Sequence, residues 1–181
     1  MRVYIGVDLP VYVKESLLES QFQMRKQGIN GSWKPADYFH ITLEFLGEML
    51  PESVPPLAKI VENTIAEKRM FRLNIDKLGA FPSFPRAHTV WAGVSGSVGK
   101  LNQLWSDLHN ELIKNGYELQ KPPFRPHISL LSRLKESVAN LSAFPIKRPG
   151  KFTVSEVIIF ESKVVDGKRV YPALYHARLK K

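Results

Sequence analysis

The tetrapeptide His-Ile-[Thr/Ser]-Leu occurs twice in this chain, first at residues 40–43 and again at residues 127–130. Each copy places an imidazole and a hydroxyl at positions i and i+2. Because successive side chains of a β-strand point to opposite faces, the histidine and the hydroxyl share one face, while the Ile and Leu share the other. Each copy therefore predicts a strand that buries its aliphatic residues and presents His40 with Thr42, or His127 with Ser129, to a cleft.

The duplication favours chemistry over a purely structural role. In a chain with five histidines, one His-x-[Ser/Thr]-Leu motif arises by chance about once in twenty sequences, and two arise on the order of once in a thousand. Histidine exchanges a proton near neutral pH, so a pair can act as base and acid in one reaction. Thr42 and Ser129 can donate hydrogen bonds to the oxygens of a phosphate. We predict catalytic roles for His40 and His127, and phosphate-binding roles for Thr42 and Ser129.

Composition limits the partners and the compartment. The net charge of +9 favours a polyanionic partner such as RNA, although many basic proteins bind no nucleic acid. The absence of cysteine excludes disulfides, thiol catalysis and thiolate zinc sites, and it fits the cytoplasm. No apolar run approaches the roughly 18 residues of a membrane span, so we expect no membrane partner. We expect a monomer.

Hydrophobic patterning predicts the order β-α-β-α-β-β-α-β-(short α)-β-β. The predicted strands cover residues 2–9, 39–47, 71–78, 89–94, 127–133, 151–164 and 169–179, and the predicted helices cover residues 10–27, 51–69 and 100–115. Residues 80–87 are predicted as a loop, and Asp166-Gly167 as a hairpin turn. The first and third helices are predicted to end at Gly28 and Gly116, and the third carries an apolar stripe of Leu101, Leu104, Trp105, Leu108 and Leu112. A helix precedes each motif strand, which indicates an ancient duplication with two similar lobes meeting at the motifs.

Two rival sites are less well supported by the residues. Metal-dependent hydrolysis remains an alternative because histidine is a common metal ligand. Two histidines with two hydroxyls make a poor cage for zinc or iron, so we predict no metal and no cofactor. The glycine-rich run at residues 93–99 lacks the Gly-Lys-[Ser/Thr] ending of a phosphate loop and is interpreted as a strand-to-helix turn. Phe39, Phe84 and Phe124 are candidates for stacking on a base, but core packing is the simpler interpretation.

Several segments together resemble the 2H phosphoesterases, specifically the bacterial and archaeal RNA 2′,3′-cyclic phosphodiesterases (the LigT-like family). The resemblance spans nearly the whole chain and rests on residues 33–35, 39–47, 90–94, 123–130 and 161–171. It implies a single two-lobed domain over residues 1–181 of the α+β class, with antiparallel sheets, helices on their outer faces and a central cleft. It also implies metal-independent opening of the 2′,3′-cyclic phosphate of RNA or nucleotides to a 2′-phosphate.

The resemblance assigns roles and reveals departures. By analogy, His127 is the base that activates water and His40 is the acid that protonates the leaving O3′. Ser129 stands where relatives commonly have Thr. In the family, Ala-Arg often follows directly after the second Leu, whereas this chain has Leu131-Ser132-Arg133 there. The arginine is one position late, which moves it to the other face of the strand unless a bulge restores the register. Arg133 and His88 are therefore predicted only as possible substrate contacts.

Other activities remain open. A sister 2H enzyme would act on ADP-ribose cyclic phosphate, trim oligonucleotide 3′ ends or join RNA. A non-catalytic module that binds RNA ends would use the same basic cleft without a matched acid and base. His109 and His176 are interpreted as structural or solvated residues.

Overall fold

The computed structural model describes residues 1–121, 123–136 and 138–181. The strands are β1 (Arg2–Asp8), β2 (Ser32–Trp33), β3 (His40–Glu48), β4 (Phe71–Phe81), β5 (Thr89–Gly96), β6 (Ile128–Ser132), β7 (Lys151–Val154), β8 (Glu156–Val165), β9 (Lys168–Val170) and β10 (Ala173–Arg178). The α-helices are α1 (Val11–Lys26), α2 (Val54–Ile65) and α3 (Val98–Lys114). Short 3-10 turns cover Ala36–Tyr38, Pro51–Ser53, Phe84–Arg86 and Ala139–Ala143.

The strands form two antiparallel sheets, each of which holds one motif strand. The first sheet has the order β10-β8-β1-β3, with β9 paired to β8. The second sheet has the order β2-β6-β5-β4-β7. All of these strand pairs are antiparallel, and the predicted α+β class is confirmed.

The chain passes repeatedly from one sheet to the other, so the two sheets do not correspond to successive halves of the chain. Helix α1 packs on the second sheet, where Nε2 of Gln21 donates to the carbonyls of Lys34 at 2.8 Å and Leu130 at 2.9 Å. Helix α2 packs on β10, while α3 packs on both α2 and β3. The helix before each motif strand therefore covers the sheet of the other motif.

Glycines end the two longer helices as predicted. Gly28 (φ +81°) and Gly116 (φ +85°) adopt the left-handed conformation that glycine favours after a helix. The N–H of Gly116 donates to Ile113, and that of Tyr117 donates to Leu112, which together satisfy terminal carbonyls of α3. The leucines of α3 are fully buried, as the predicted apolar stripe requires: Leu101, Leu104, Leu108 and Leu112.

Both motif strands contain a β-bulge at the leucine of the motif. In β3, the register changes between Thr42, which pairs with Gly6, and Glu44, which pairs with Ile5, so Leu43 is the extra residue. In β6, Ser129 pairs with Trp91 and Leu131 pairs with Val90, so Leu130 is the extra residue. A bulge lets two consecutive side chains face the core. The same local distortion therefore follows each His-x-[Thr/Ser] face.

The prediction of one strand over residues 151–164 was wrong. The chain leaves the second sheet at Ser155, because β7 pairs with β4 whereas β8 pairs with β1. Alternating hydrophobicity shows that a segment is extended but not which neighbour it pairs with. The strand predicted over residues 169–179 is likewise divided, at Pro172, into β9 and β10. Proline lacks the N–H that a continuous ladder needs. The hairpin turn at Asp166-Gly167 is confirmed, with φ of 49° and 75°.

The remaining differences lie at element ends. The predicted loop at residues 80–87 starts two residues too early, because β4 continues to Phe81. The helix predicted from residue 51 begins as a 3-10 turn and becomes an α-helix only at Val54. The short helix predicted after β6 is a 3-10 turn. The pairing of β2 with β6 was not predicted, since two residues are too short for a periodic signal.

Gly79 leaves the space that the Trp91 ring occupies beside His127. It lies opposite Trp91 in the β4–β5 register, and a Cβ at this position would overlap the indole of Trp91. We expect Gly79→Ala to lower the free energy of unfolding by about 1–3 kcal/mol, because overpacking displaces the ring. The measurement is urea unfolding followed by tryptophan fluorescence.

Gly99→Ala is the matched control, because no described atom lies within 4 Å of a Cβ built at this position in α3. It should stabilise the protein by about 0.4–1 kcal/mol. Equal effects of the two substitutions would contradict the steric role of Gly79.

Candidate active site

His40 begins β3 and is enclosed by aromatic side chains. It is only 8% exposed. The ring of Tyr4 stacks on it at 4.7 Å between centroids, and Tyr38, Phe160 and Tyr171 surround it at 5.1 to 6.1 Å. Nε2 of His40 lies 3.1 Å from Oγ1 of Thr42, the hydroxyl two residues along the same strand. The imidazole is thus fixed in orientation and shielded from water.

His127 immediately precedes β6 and has a similar but more open setting. The ring of Phe81 meets it edge-on at 5.0 Å, and the ring of Trp91 lies 5.8 Å away. Nδ1 of His127 donates to the carbonyl oxygen of Arg125 at 2.6 Å. In the neutral ring this hydrogen bond places the proton on Nδ1 and leaves the lone pair on Nε2.

Burial keeps both imidazoles neutral in the free protein. Desolvation lowers the pKa of His40 from 6.5 to about 4, against the opposing effect of the Asp8 carboxylate. Lys14 and His127 lower the pKa of His40 further, which places the two histidines within electrostatic reach of each other. Desolvation also lowers the pKa of His127, while its hydrogen bond to Arg125 raises it. Neutral imidazoles are competent bases.

Thr42 lies where two cavities meet. The first cavity, of about 500 Å³, is called here the aromatic chamber; its walls include Glu44, Phe81, Trp105, Phe124 and His127. The second, of about 230 Å³, is called the cationic chamber; it is lined by Arg2, Tyr4, Lys34, Tyr38, His40, Ser162, Arg169 and Tyr171. Thr42 and Phe45 line both. The structure therefore places His127 and His40 on two adjoining cavities that share Thr42, and the two cavities together are called the groove.

Ser129 lies on β6, two residues after His127, and is half-buried. Its cross-strand partner is Trp91, which contacts the His127 ring. Ser129 is not among the described residues that line the two chambers. Its contact with a phosphate stays a prediction.

Arg133 and His88 are placed outside both chambers, as far as the described lining residues show. Strand β6 does contain a bulge, at Leu130. After this bulge, the next side chain on the same face as Ser129 is that of Ser132, which pairs with Thr89, and not that of Arg133. Arg133 has already left the strand, with φ of 52° and an exposed side chain, and its charge helps to lower the pKa of Lys34. His88 is exposed and lies 3.2 Å from the Thr89 hydroxyl. Their contact with substrate stays a prediction.

A buried polar pair, His109 and Glu44, lies beside the aromatic chamber. Nδ1 of His109 in α3 lies 2.5 Å from the carboxylate of Glu44 in β3. Burial raises the pKa of Glu44, while hydrogen bonds from His109 and Trp105 lower it. The Trp105 ring stacks on Phe124 at 5.1 Å with an angle of 8° between planes. His109 is thus a structural residue that fixes the motif strand to α3.

The aromatic residues suggested for stacking on a base occupy different positions. Phe39 is fully buried and belongs to the core. Phe124 lines the aromatic chamber, and half-buried Phe84 lies in a 3-10 turn outside both chambers, judged from the described lining residues. The sequence patterns did not predict the aromatic enclosure of His40 or the basic side chains of the cationic chamber. Tyr4 carried a usable signal, because a strand that is otherwise aliphatic presents one polar-tipped ring.

Among the described residues, no group of three or more His, Asp or Glu side chains could hold a metal ion. No helix in the described ranges is both long enough and apolar enough to cross a membrane.

Comparison with known proteins shows that the chain is similar to phosphoesterases. The family model of LigT-like phosphoesterases matches residues 7–91, which include the first motif. The RNA 2′,3′-cyclic phosphodiesterase of Aeropyrum pernix is 32% identical over 149 residues, which cover 77% of this chain and 81% of that protein.

Solved structures of similar fold match nearly the full length of this chain. The apo crystal structure of E. coli LigT has a TM-score of 0.81 and 27% identity, covering 99% of this chain and 98% of that chain. LigT complexed with 3′-AMP matches with a TM-score of 0.77, 27% identity and the same coverage. The resemblance inferred from the two motifs is confirmed.

Burial of neutral His40 should make stability depend on pH. An unfolded histidine takes up a proton near pH 6.5, whereas folded His40 resists protonation until about pH 4. As the pH falls through this window, the unfolded state binds more protons and the free energy of unfolding falls, by about 3 kcal/mol in full. Between about pH 7 and pH 4, the free energy of unfolding should fall by about 3 kcal/mol less in His40→Gln than in the wild type. Urea unfolding at each pH measures the difference.

Exposed His88 supplies the control for this measurement. The His88→Gln variant should keep the pH dependence of the wild type. If His40→Gln follows the wild-type curve as well, the imidazole of His40 is not held neutral by burial.

Proposed function

Because this chain belongs to the LigT-like phosphoesterase family, we propose that it hydrolyses the 2′,3′-cyclic phosphate at the end of an RNA or nucleotide to a 2′-phosphate. The substrate class follows that of the Aeropyrum pernix relative, an RNA 2′,3′-cyclic phosphodiesterase. E. coli LigT, crystallised with 3′-AMP, is a relative that binds a nucleotide. The observation that carries the proposal is the convergence of His40 and His127, from different sheets, on a groove lined by Thr42.

His127 is proposed as the general base. Its hydrogen bond to the Arg125 carbonyl orients the ring and fixes the tautomer with a free lone pair on Nε2. This nitrogen takes a proton from water as the water oxygen forms a bond to phosphorus. The lowered pKa of His127 keeps the ring in the required neutral form at neutral pH.

His40 is proposed as the general acid, and the substrate helps to charge it. Burial lowers the pKa of His40, but a phosphate anion beside the ring favours the imidazolium and raises that pKa again. The bond from phosphorus to O3′ breaks, and His40 transfers its proton to O3′. The phosphate therefore remains on O2′, with one proton taken up by His127 and one released by His40.

Thr42 and Ser129 are proposed to hold the non-bridging oxygens of the reacting phosphate. Each hydroxyl lies two residues after its histidine and before the bulge, so it lies on the same face of the strand as that histidine. Hydroxyl donors that are already oriented stabilise the charge that develops in the transition state. We further propose that the chain acts as one domain over residues 1–181, as a monomer in the cytoplasm, without a metal or cofactor.

Either motif histidine should be essential for turnover. We expect His40→Ala and His127→Ala each to lower kcat on adenosine 2′,3′-cyclic phosphate by about 10²- to 10⁴-fold, because each removes one proton-transfer step. Product analysis of the wild-type reaction, run in EDTA, should show adenosine 2′-phosphate.

Circular dichroism must show that both variants remain folded, and His176→Ala, at an exposed histidine outside the described lining of both chambers, should keep the activity of the wild type. Accumulation of the 3′-phosphate, or loss of wild-type activity in EDTA, would overturn the mechanism. Salt-sensitive RNA binding without hydrolysis between about pH 5 and pH 9 would instead identify a binding module.

Thr42 offers a test that preserves the shape of the site. Thr42→Val should lower kcat by about 10²- to 10³-fold, as the loss of one transition-state donor does elsewhere, whereas Thr42→Ser keeps the hydroxyl and most of the activity. Steady-state kinetics on the same substrate make the comparison. Similar rates for Val and Ser at this position would show that the hydroxyl does not act on the phosphate.

A further inference from the structure

The cationic chamber collects positive charge with no carboxylate in its described lining. The Arg2 guanidinium lies 4.8 Å from the centre of the Phe45 ring, and Nζ of Lys34 lies 4.9 Å from that of Tyr38. Arg169 donates to the Ser162 hydroxyl at 2.9 Å. Within the described residues, none of these three cations forms an ion pair.

The cations are close enough to disfavour one another. Burial lowers the pKa of Lys34, and the charges of Arg133 and Arg169 lower it further. Burial raises the pKa of Tyr38, and the charges of Arg169 and Arg2 oppose that rise, so both charges lie near that ring. Arg2 and Arg169 are exposed and Lys34 is half-buried, and three cations around one cavity without a carboxylate in its described lining attract anions to it. The arrangement therefore indicates an anionic ligand.

Tyrosine hydroxyls add neutral donors to the same chamber. The Tyr4 side chain is 3% exposed, and its hydroxyl has no hydrogen-bond partner among the described residues. Burial raises the pKa of Tyr4 and also raises that of Tyr171, to about 12, so both hydroxyls keep their protons at neutral pH. A buried hydroxyl without a partner is unfavourable, and a ligand oxygen would satisfy it.

The sizes of the two chambers suggest different occupants. The aromatic chamber, at about 500 Å³, falls within the range of pockets that hold small organic ligands, whereas the cationic chamber, at about 230 Å³, falls below it. A phosphate group combines small volume with several acceptor oxygens, and arginine recognises it through paired N–H donors. The proposed mechanism assigns the reacting phosphate to Thr42, which both chambers share, so the part of the cationic chamber lined by Arg2, Lys34 and Arg169 is left for another group.

We propose that the cationic chamber binds a second phosphate of the substrate, the one on the 5′ side of the nucleotide that carries the cyclic phosphate. This inference rests on the proposed function. It makes the substrate class a nucleotide with two phosphates, as at the 3′ end of an oligonucleotide, rather than a nucleoside with the cyclic phosphate alone. The 5′ phosphate comes either from a phosphodiester or from a 5′-phosphorylated mononucleotide.

Three substrates test the proposal: adenosine 2′,3′-cyclic phosphate, its 5′-phosphorylated form, and the dinucleotide ApA with a terminal 2′,3′-cyclic phosphate. We expect kcat/KM to be about tenfold higher or more for both substrates with a 5′ phosphate, mainly through a lower KM. A gain confined to the dinucleotide would overturn the phosphate assignment, because the preceding nucleoside would then supply the contacts. Equal kcat/KM for all three would overturn it too.

Charge-removing variants locate the contact. Lys34→Gln and Arg169→Gln should reduce kcat/KM by about tenfold more for the substrates with a 5′ phosphate than for the one without. Arg148→Gln is the matched control, because it removes an exposed cation paired with Asp76 on the surface. Tyr4→Phe should reduce the preference while keeping the ring that stacks on His40.

Equal losses on all substrates would show that these cations act on the reacting phosphate or on folding, and would overturn the proposal. Failure of the proposed function itself would look different, because the wild type would then hydrolyse none of the three substrates.

Discussion

The chemistry of this protein depends on the burial of two imidazoles, which shields them from water and keeps them neutral. Aromatic neighbours from strands and turns contact each ring: Tyr4, Tyr38, Phe160 and Tyr171 around His40, and Phe81 and Trp91 around His127. Aromatic walls desolvate without supplying a counter-charge, so the pKa of each histidine falls. A bound phosphate can then provide the missing negative charge, which couples protonation of the acid to the presence of substrate.

The site is symmetric in its motifs and asymmetric in its surroundings. Both motif strands place a histidine and a hydroxyl on one face and then bulge at the leucine. The groove nevertheless continues into an aromatic chamber on the side of His127 and a cationic chamber on the side of His40. A repeated strand motif supplies the reacting groups, while side chains from unrelated parts of the chain decide what each side can bind.

The sequence predicted those features that depend on local periodicity. The two motif strands, the leucine stripe of α3 and the helix ends at Gly28 and Gly116 all follow from spacing and backbone preference, and the structure confirms them. The change of sheet at Ser155 could not be predicted, because an extended segment does not encode its partner. The cationic chamber was also missed, because Arg2, Lys34 and Arg169 come together only through tertiary pairing.

The crossing of the chain between the two sheets has a mechanical consequence. Domain closure about a hinge requires that few segments join the moving bodies. Here the backbone passes back and forth between the sheets, and Gln21 of a helix that follows β1 is tied to backbone carbonyls beside β2 and within β6. Several chain crossings and these hydrogen bonds join the described parts of the two sheets, so we expect the groove to keep its shape when a substrate enters.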